Sequence, residues 1–148
     1  MLRNKNIFSA TSRRDFRSRS DPSSTWVEKF QASKVAANAS PSMPCIIGDS
    51  ICGNFLRLGR KSWEKSFPGW LNCGIGGDKV QHVLWRVQNG AIPSKATSVV
   101  IIAGSNHLEG NSASEIAEAL VIVAEEAIKQ SGEGWLVSLA FFHDKCIS

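Results

Sequence analysis

Residues 44 to 78 read PCIIGDSICGNFLRLGRKSWEKSFPGWLNCGIGGD, and the order of patterns in this stretch decides the fold. Cys45 to Ile47 is a short apolar strand that stops at Gly48. A helical stretch follows from about Ile51 to Phe67, imperfectly periodic and weakened by Gly53 and Gly59, because glycine is a poor helix former. Trp70 to Cys73 is a second strand, and Gly74-Ile75-Gly76-Gly77 turns the chain out of it. The unit is strand, glycine turn, helix, strand, glycine turn.

Downstream the unit repeats. Asp78 and Gln81 resemble a capping box, after which Val80, Val83, Leu84 and Val87 hold the i, i+3, i+4, i+7 spacing of a helix that ends at Gly90. Thr97 to Ala103 is a continuous, largely β-branched strand. Ser112 and Glu115 cap a helix whose core face is Ile116, Leu120, Val123 and Ala127, stopping near Gly132. Trp135 to Phe142 is the fourth strand. Strands that are apolar without alternation, separated by amphipathic helices, predict an α/β fold, a three-layer doubly wound parallel sheet.

Upstream the character changes. Residues 1 to 40 carry eight Lys or Arg against three acids, whereas residues 41 to 148 carry nine against ten, so the net charge of +4 belongs to the tail. The rest has no basic stripe for nucleic acid. Residues 1 to 24 are Arg- and Ser-rich and lack periodicity, which predicts disorder. Thr25 and Glu28 suggest the start of a short helix carrying Trp26 and Phe30 on one face, ahead of an Ala/Ser-rich linker at 32 to 42. The domain division expected is therefore a basic tail and linker over 1–42 and a partial catalytic-type domain over 43–148. No apolar run reaches the roughly 18 residues of a membrane span, and no signal-peptide core follows the start. Cys45, Cys52, Cys73 and Cys146 form neither a C-x-x-C pair nor a disulfide framework, which favours a reducing compartment, the cytoplasm. The Arg/Ser-rich start makes the mitochondrion the alternative, against which Asp15 and Asp21 count. Cys45 and Cys73 read as small buried hydrophobes, and no metal site is expected.

In a doubly wound sheet, functional loops gather beyond the carboxyl ends of the strands. There they begin Gly48-Asp49-Ser50, Gly74-Ile75-Gly76-Gly77-Asp78, Gly104-Ser105-Asn106-His107 and His143-Asp144. Ser50 opens a helix just after a strand, where backbone N–H groups favour a developing oxyanion. It suits an ordinary N-cap equally well. Gly76-Gly77 allows close backbone approach to a ligand, or simply a tight turn. Asn106 has a side-chain N–H to offer the same oxyanion, and is also a common turn residue.

Taken in order, Gly48-Asp49-Ser50, Asn72 to Asp78 and Gly104-Ser105-Asn106 resemble the first three blocks of the SGNH (GDSL-type) hydrolases. The stretch Gly74 to Gly90, with Gln81-His82-Val83-Leu84-Trp85-Arg86 and Asn89-Gly90, is most similar to the intracellular platelet-activating-factor acetylhydrolase catalytic subunits. The resemblance covers about residues 44 to 142. It implies a flavodoxin-like fold and ester hydrolysis through an acyl-enzyme, with Ser50 as nucleophile and the N–H groups of Ser50 and Gly77 with the Asn106 amide as oxyanion hole. It implies no cofactor and no metal.

Three departures accompany the match. The family's D-x-x-H block, which supplies the base and its orienting acid, is not found before Ser148; a fifth strand and closing helix are not found either; and His107 stands where the family often has Asn or Asp. His107 and His143 fall on rim loops, His82 within a helix. The expectation is an SGNH-type domain incomplete at its C-terminus, with little or no activity, whose ligand is a small ester or acyl group. A noncatalytic acyl-binding module is the rival reading. G-x-G-x-x-G spacing and a G-x-S-x-G elbow are both absent, which disfavours a dinucleotide site and an α/β-hydrolase. Four strands are also expected to leave the last helix's contact face uncovered, favouring homo-association.

Overall fold

The computed structural model describes Ile7 and residues 24–107, 110–132 and 136–140, the last as backbone. Helix α1 (Ser24–Ala39) leads into strand β1 (Cys45–Gly48), helices α2 (Ser50–Arg57) and α3 (Arg60–Ser66), and strand β2 (Leu71–Gly74). Helix α4 (Val80–Gln88), strand β3 (Ser98–Ile102), a 3-10 turn (Ser105–His107), helix α5 (Ala113–Ser131) and strand β4 (Leu136–Ala140) complete it.

The sheet order is β2-β1-β3-β4, all parallel, with Cys45 opposite Leu71 and Val99, and Ser98 opposite Leu136. The two faces separate by residue parity, as pleating requires. Cys45, Ile47, Cys73, Val99 and Ile101 point into the larger core, under α1, α4 and α5. Ile46, Val100 and Ile102 point the other way, under Cys52 and Phe55 of α2 and Trp63 of α3. Both faces of β1 and β3 are thus packed against helices, which is why these strands are mostly apolar without alternation. The doubly wound α/β reading holds.

Three local expectations change. The helix read from Ile51 to Phe67 is two helices, parted at Leu58 and Gly59. Phe55, Trp63, Phe67 and Trp70 then stack in series across the break, with centroids 4.9 to 6.0 Å apart. The segment read as a linker is helical to Ala39, since alanine is the best helix former and Phe30 and Ala37 are buried beneath it. Trp26, Phe30 and Trp85 cluster where α1 meets α4. The face of α5 expected to stand uncovered (Ile116, Leu120, Val123, Ala127) is buried in the larger core; Val121 and Ile128, on its far side, are exposed. The tail over 1–23, apart from Ile7, and residues 141–148, including His143, Asp144 and Cys146, lie outside the described residues.

Other readings hold closely. Ser112 Oγ accepts the Glu115 N–H at 3.2 Å while the Glu115 carboxylate accepts the Ser112 N–H at 2.8 Å, completing the capping box on α5. Cys45, Cys52 and Cys73 are free and buried. Burial pushes the Cys52 thiol up to about 12, with the Asp49 carboxylate adding to the effect, and raises Cys45 and Cys73 as well. They are packing residues. No described helix is long and apolar enough to cross a membrane.

Candidate active site

All four strands are parallel, so the loops after β1, β2 and β3 leave one edge of the sheet. Strand β1 lies between β2 and β3, the point where the strand order reverses and a crevice opens in folds of this kind.

The first loop is built on Asp49. Its carboxylate is fully buried, and Oδ1 accepts the Ile51 N–H at 2.9 Å, making Asp49 the N-cap of α2. That role was left open for Ser50. With the cap taken by its neighbour, Ser50 is the first helical residue, half-buried at the positive end of α2. Asp49 Oδ2 accepts the Ser105 hydroxyl at 2.7 Å, and the Asp49 N–H reaches the Ile102 carbonyl at 3.1 Å. The first loop is thereby tied to the third.

The second loop presses against the first. A Cβ on Gly76 would sit 3.9 Å from Ser50 Cβ, and Gly77 has φ 78°, in the left-handed region that glycine enters without strain. Beneath them the strand ends close tightly: a Cβ at Gly48 would land on the Ile102 carbonyl oxygen, and one at Gly74 would strike Cys52 and the Gly53 nitrogen. The first turn of α2 therefore rests directly on the sheet.

The loop is held from below by Arg86, a charged residue with no solvent exposure. Its Nε donates to Asp78 Oδ2 at 2.8 Å, with Nη2 in ion-pair contact with the same oxygen at 2.8 Å, while Nη1 donates to the Cys73 carbonyl at 2.6 Å and Nη2 to the Gly48 carbonyl at 2.9 Å. Trp26 Nε1 donates to Asp78 Oδ1 at 2.7 Å. One guanidinium thus joins the ends of β1 and β2 to the loop that carries Gly76 and Gly77, and α1 closes the network. The sequence reading placed Asp78 in a capping box. It precedes the cap instead, because Lys79 is the N-cap of α4 and its N–H donates to His82 Nδ1 at 2.9 Å. The missed signal was an Asp and an Arg eight residues apart around an apolar helix start, a pair that burial would force together.

On the third loop Asn106 is exposed, and its Nδ2 donates to the Asp78 carbonyl at 2.8 Å, joining this loop to the second. His107 is turned inward. Its Nε2 accepts the Val80 N–H at 3.2 Å, so the ring hydrogen lies on Nδ1, facing Asn111 Oδ1 at 3.1 Å. Both ring nitrogens are used in structure. Burial lowers its pKa below the ordinary 6.5, outweighing the opposing effect of Asn111, and Lys79 lowers it further. A neutral imidazole is required here, since protonation would put a hydrogen where Val80 donates. In the window between the lowered folded value and 6.5 the unfolded chain holds the extra proton, so stability falls as pH drops through it. Urea unfolding is therefore expected to show a lower midpoint at pH 5 than at pH 7.5, and His107→Gln, which has an acceptor but does not titrate, should flatten that slope.

A cleft of about 570 Å³ starts at Ser50 and Gly76 and runs between α1 and α2 along the free edge of β2; Gly77 and Asn106 do not line it. Among the described residues no cluster of His, Cys, Asp or Glu is arranged to hold a metal.

No family model matches the chain. Curated relatives do. The platelet-activating factor acetylhydrolase IB subunit alpha2 of rat is 39% identical over 82 residues, which is 53% of this chain and 34% of that protein, and the human protein gives the same figures. A Drosophila melanogaster subunit beta homolog is 38% identical over 64 residues, covering 41% and 28%. The chain spans about a third of the length of the curated relatives it matches. Among solved structures, a GDSL-like lipase from Bacteroides thetaiotaomicron superposes with TM-score 0.58 at 18% identity, over 74% of this chain and 56% of that one. That likeness carries the fold, and on the two comparisons together the chain resembles GDSL-like hydrolases in fold and the acetylhydrolase subunits in sequence over about half its length.

Proposed function

We propose that this chain carries an SGNH-type ester hydrolase site in which Ser50 is the nucleophile. The Ser50 oxygen attacks the ester carbonyl, the carbonyl carbon's bond to the alcohol oxygen breaks as that oxygen takes up the proton the serine gives up, and water then cleaves the acyl-serine to the acid and restores the hydroxyl. The carbonyl oxygen, negative in the tetrahedral intermediate, is met by the Ser50 and Gly77 N–H groups and by Asn106 Nδ2, whose two amide hydrogens allow one to stay on Asp78 while the other serves the oxyanion. Neither a metal nor a cofactor enters this chemistry. The observation that carries the reading is that three loops are locked together around Ser50: Asp49 to Ser105, Asn106 to the Asp78 carbonyl, and Gly76 against Ser50. The domain on this reading starts with α1, at Ser24, since that helix closes the network through Trp26. A reducing compartment suits its buried free thiols.

One observation favours a second reading, a noncatalytic acyl-binding module: His107, the described histidine on the rim, has both nitrogens occupied and offers Ser50 no base. A fluorophosphonate, which leaves a tetrahedral adduct on an activated serine, separates the two. Prolonged incubation is expected to give one adduct, mapped to Ser50 by peptide mass and absent from Ser50→Ala. Asn106→Ala should slow it roughly 10²- to 10³-fold, the usual cost of one oxyanion donor. Labelling that persists in Ser50→Ala rejects the hydrolase reading.

A further inference from the structure

The cleft beside Ser50 is built by two helix faces with the same spacing. Lys29, Ala32, Ser33 and Ala36 of α1 face it, and so do Ser50, Gly53, Asn54 and Arg57 of α2, each set at i, i+3, i+4, i+7. Both helices start at the active-site edge of the sheet, α1 at Trp26 against Asp78 and α2 at Ser50, and descend past β2 toward its first residue, Leu71. Ala32, Ser33 and Ala36 on one wall and Ser50 and Gly53 on the other are small, which leaves the trough open. Arg57 lies two turns below Ser50 on the same face, roughly 10 Å away along the helix, and Arg60 follows it.

The charge of the trough is one-sided. Lys29, Arg57 and Arg60 line it, no Asp or Glu does, and none of the three cations pairs with a carboxylate among the described residues. Arg57 donates through Nε to Asn54 Oδ1 at 3.1 Å, and among the described residues its two terminal nitrogens carry no hydrogen bond, which leaves a pair of donors for an entering anion. A groove between low-dielectric walls concentrates the field of such charges. All three cations are exposed, so an anion entering the trough gains from their charge while a neutral ligand of the same length does not.

We infer that this trough is an anion subsite, taking an ester whose reacting carbonyl lies at Ser50 and whose other end carries a compact anion, a carboxylate or a phosphate monoester. The inference names a substrate class for the proposed hydrolase site and rests on that reading for the position of the ester. Arg57 and Arg60 grip the anion as charge-assisted donors, and Lys29, nearer the rim end of the groove, adds its charge at longer range.

The test is an NMR titration of the full 148-residue chain with three probes of matched length: hydroxyhexanoate, the corresponding hydroxyalkyl phosphate, and neutral hexanediol. The anions should shift the Gly53 and Asn54 amides and the Arg57 and Arg60 Nε–H signals saturably, more weakly as salt rises, and hexanediol should not. Comparison of the two anions identifies which group the site takes. Arg57→Gln with Arg60→Gln, both exposed positions, should weaken binding about tenfold or more, while Lys61→Gln, an exposed cation outside the trough, should bind as the parent does. Equal binding of hexanediol, or undiminished binding by the double variant, overturns the subsite. If the anions bind while Ser50 stays inert to fluorophosphonate even with a D-x-x-H segment supplied, the hydrolase reading alone falls. If Ser50 is labelled and the anions do not bind, the subsite alone falls.

Discussion

Hydrolysis of short-chain p-nitrophenyl esters by the 148-residue chain is expected to stay near the level of its Ser50→Ala variant, and to rise on the order of 10⁴- to 10⁶-fold when a segment bearing D-x-x-H is supplied at the C-terminal side of the sheet. The magnitude follows from what a serine lacks without its base. Its hydroxyl is a weak nucleophile at neutral pH, and a helix N-terminus stabilises the oxyanion without removing the hydroxyl proton. Among the described residues, His107 holds the Val80 N–H and His82 accepts from Lys79. Neither is placed to take the proton. An oxyanion hole alone leaves a residual rate roughly 10³ to 10⁴ above water, so Ser50→Ala in the same background is the control that matters. Brisk hydrolysis by the unextended chain, lost in Ser50→Ala, would mean that the chain holds its own base; His107→Ala and His143→Ala would then identify it. An extended chain that is inert with or without Ser50 would favour the acyl-binding reading.

Arg86→Met is expected to cost about 3–5 kcal/mol of folding stability, the penalty for breaking a buried ion pair from one side. The substitution fills much of the same volume but leaves the Asp78 carboxylate buried without its main partner, removes the guanidinium donor from the Cys73 carbonyl, and leaves the Gly48 carbonyl with the Ile75 N–H alone of its two described donors. Domains of this size have about 5–15 kcal/mol in total, so the urea midpoint should fall by a large fraction. Arg86→Lys should rescue little, because an ammonium lacks the planar fork that reaches Asp78 and two carbonyls together. Trp26→Phe, which keeps the stacking on Phe30 and Trp85 and removes a single hydrogen bond to a charged group, should cost only about 1.5–3 kcal/mol. A double variant, Arg86→Met with Asp78→Asn, should be less destabilised than the two single losses sum to, since each single change leaves a partner stranded. If Arg86→Met unfolds at the parent's midpoint, the guanidinium is not the clasp between loop and sheet.

The parts of the molecule that could be read from sequence are those with a local cause. The capping box at Ser112 and Glu115, the Val80, Val83, Val87 face and the apolar runs of β1 and β3 each depend on residues a few positions apart. Misreadings arose where a local rule competed with a distant partner. Ala32 to Ala39 read as linker because composition hid a helix that Trp26 and Phe30 anchor to Trp85. Asp78 read as a cap because its real partners, Trp26 and Arg86, lie 52 and 8 residues away.

The site divides along the same line. The sequence by itself determined that Ser50, Gly77 and Asn106 each follow a strand, because strand ends and glycine turns are written in short runs, and a parallel sheet must send such loops to one edge. Only the tertiary structure decided that Asp49 is the cap, which leaves Ser50 as the first helical residue, that His107 turns inward to hold Val80, and that two helices whose starts lie 26 residues apart face each other beside β2 with cations that pair with no carboxylate among the described residues. The reason is physical: a buried carboxylate, imidazole or guanidinium must find whichever donors and acceptors the packed fold brings to it, and that choice is made in three dimensions.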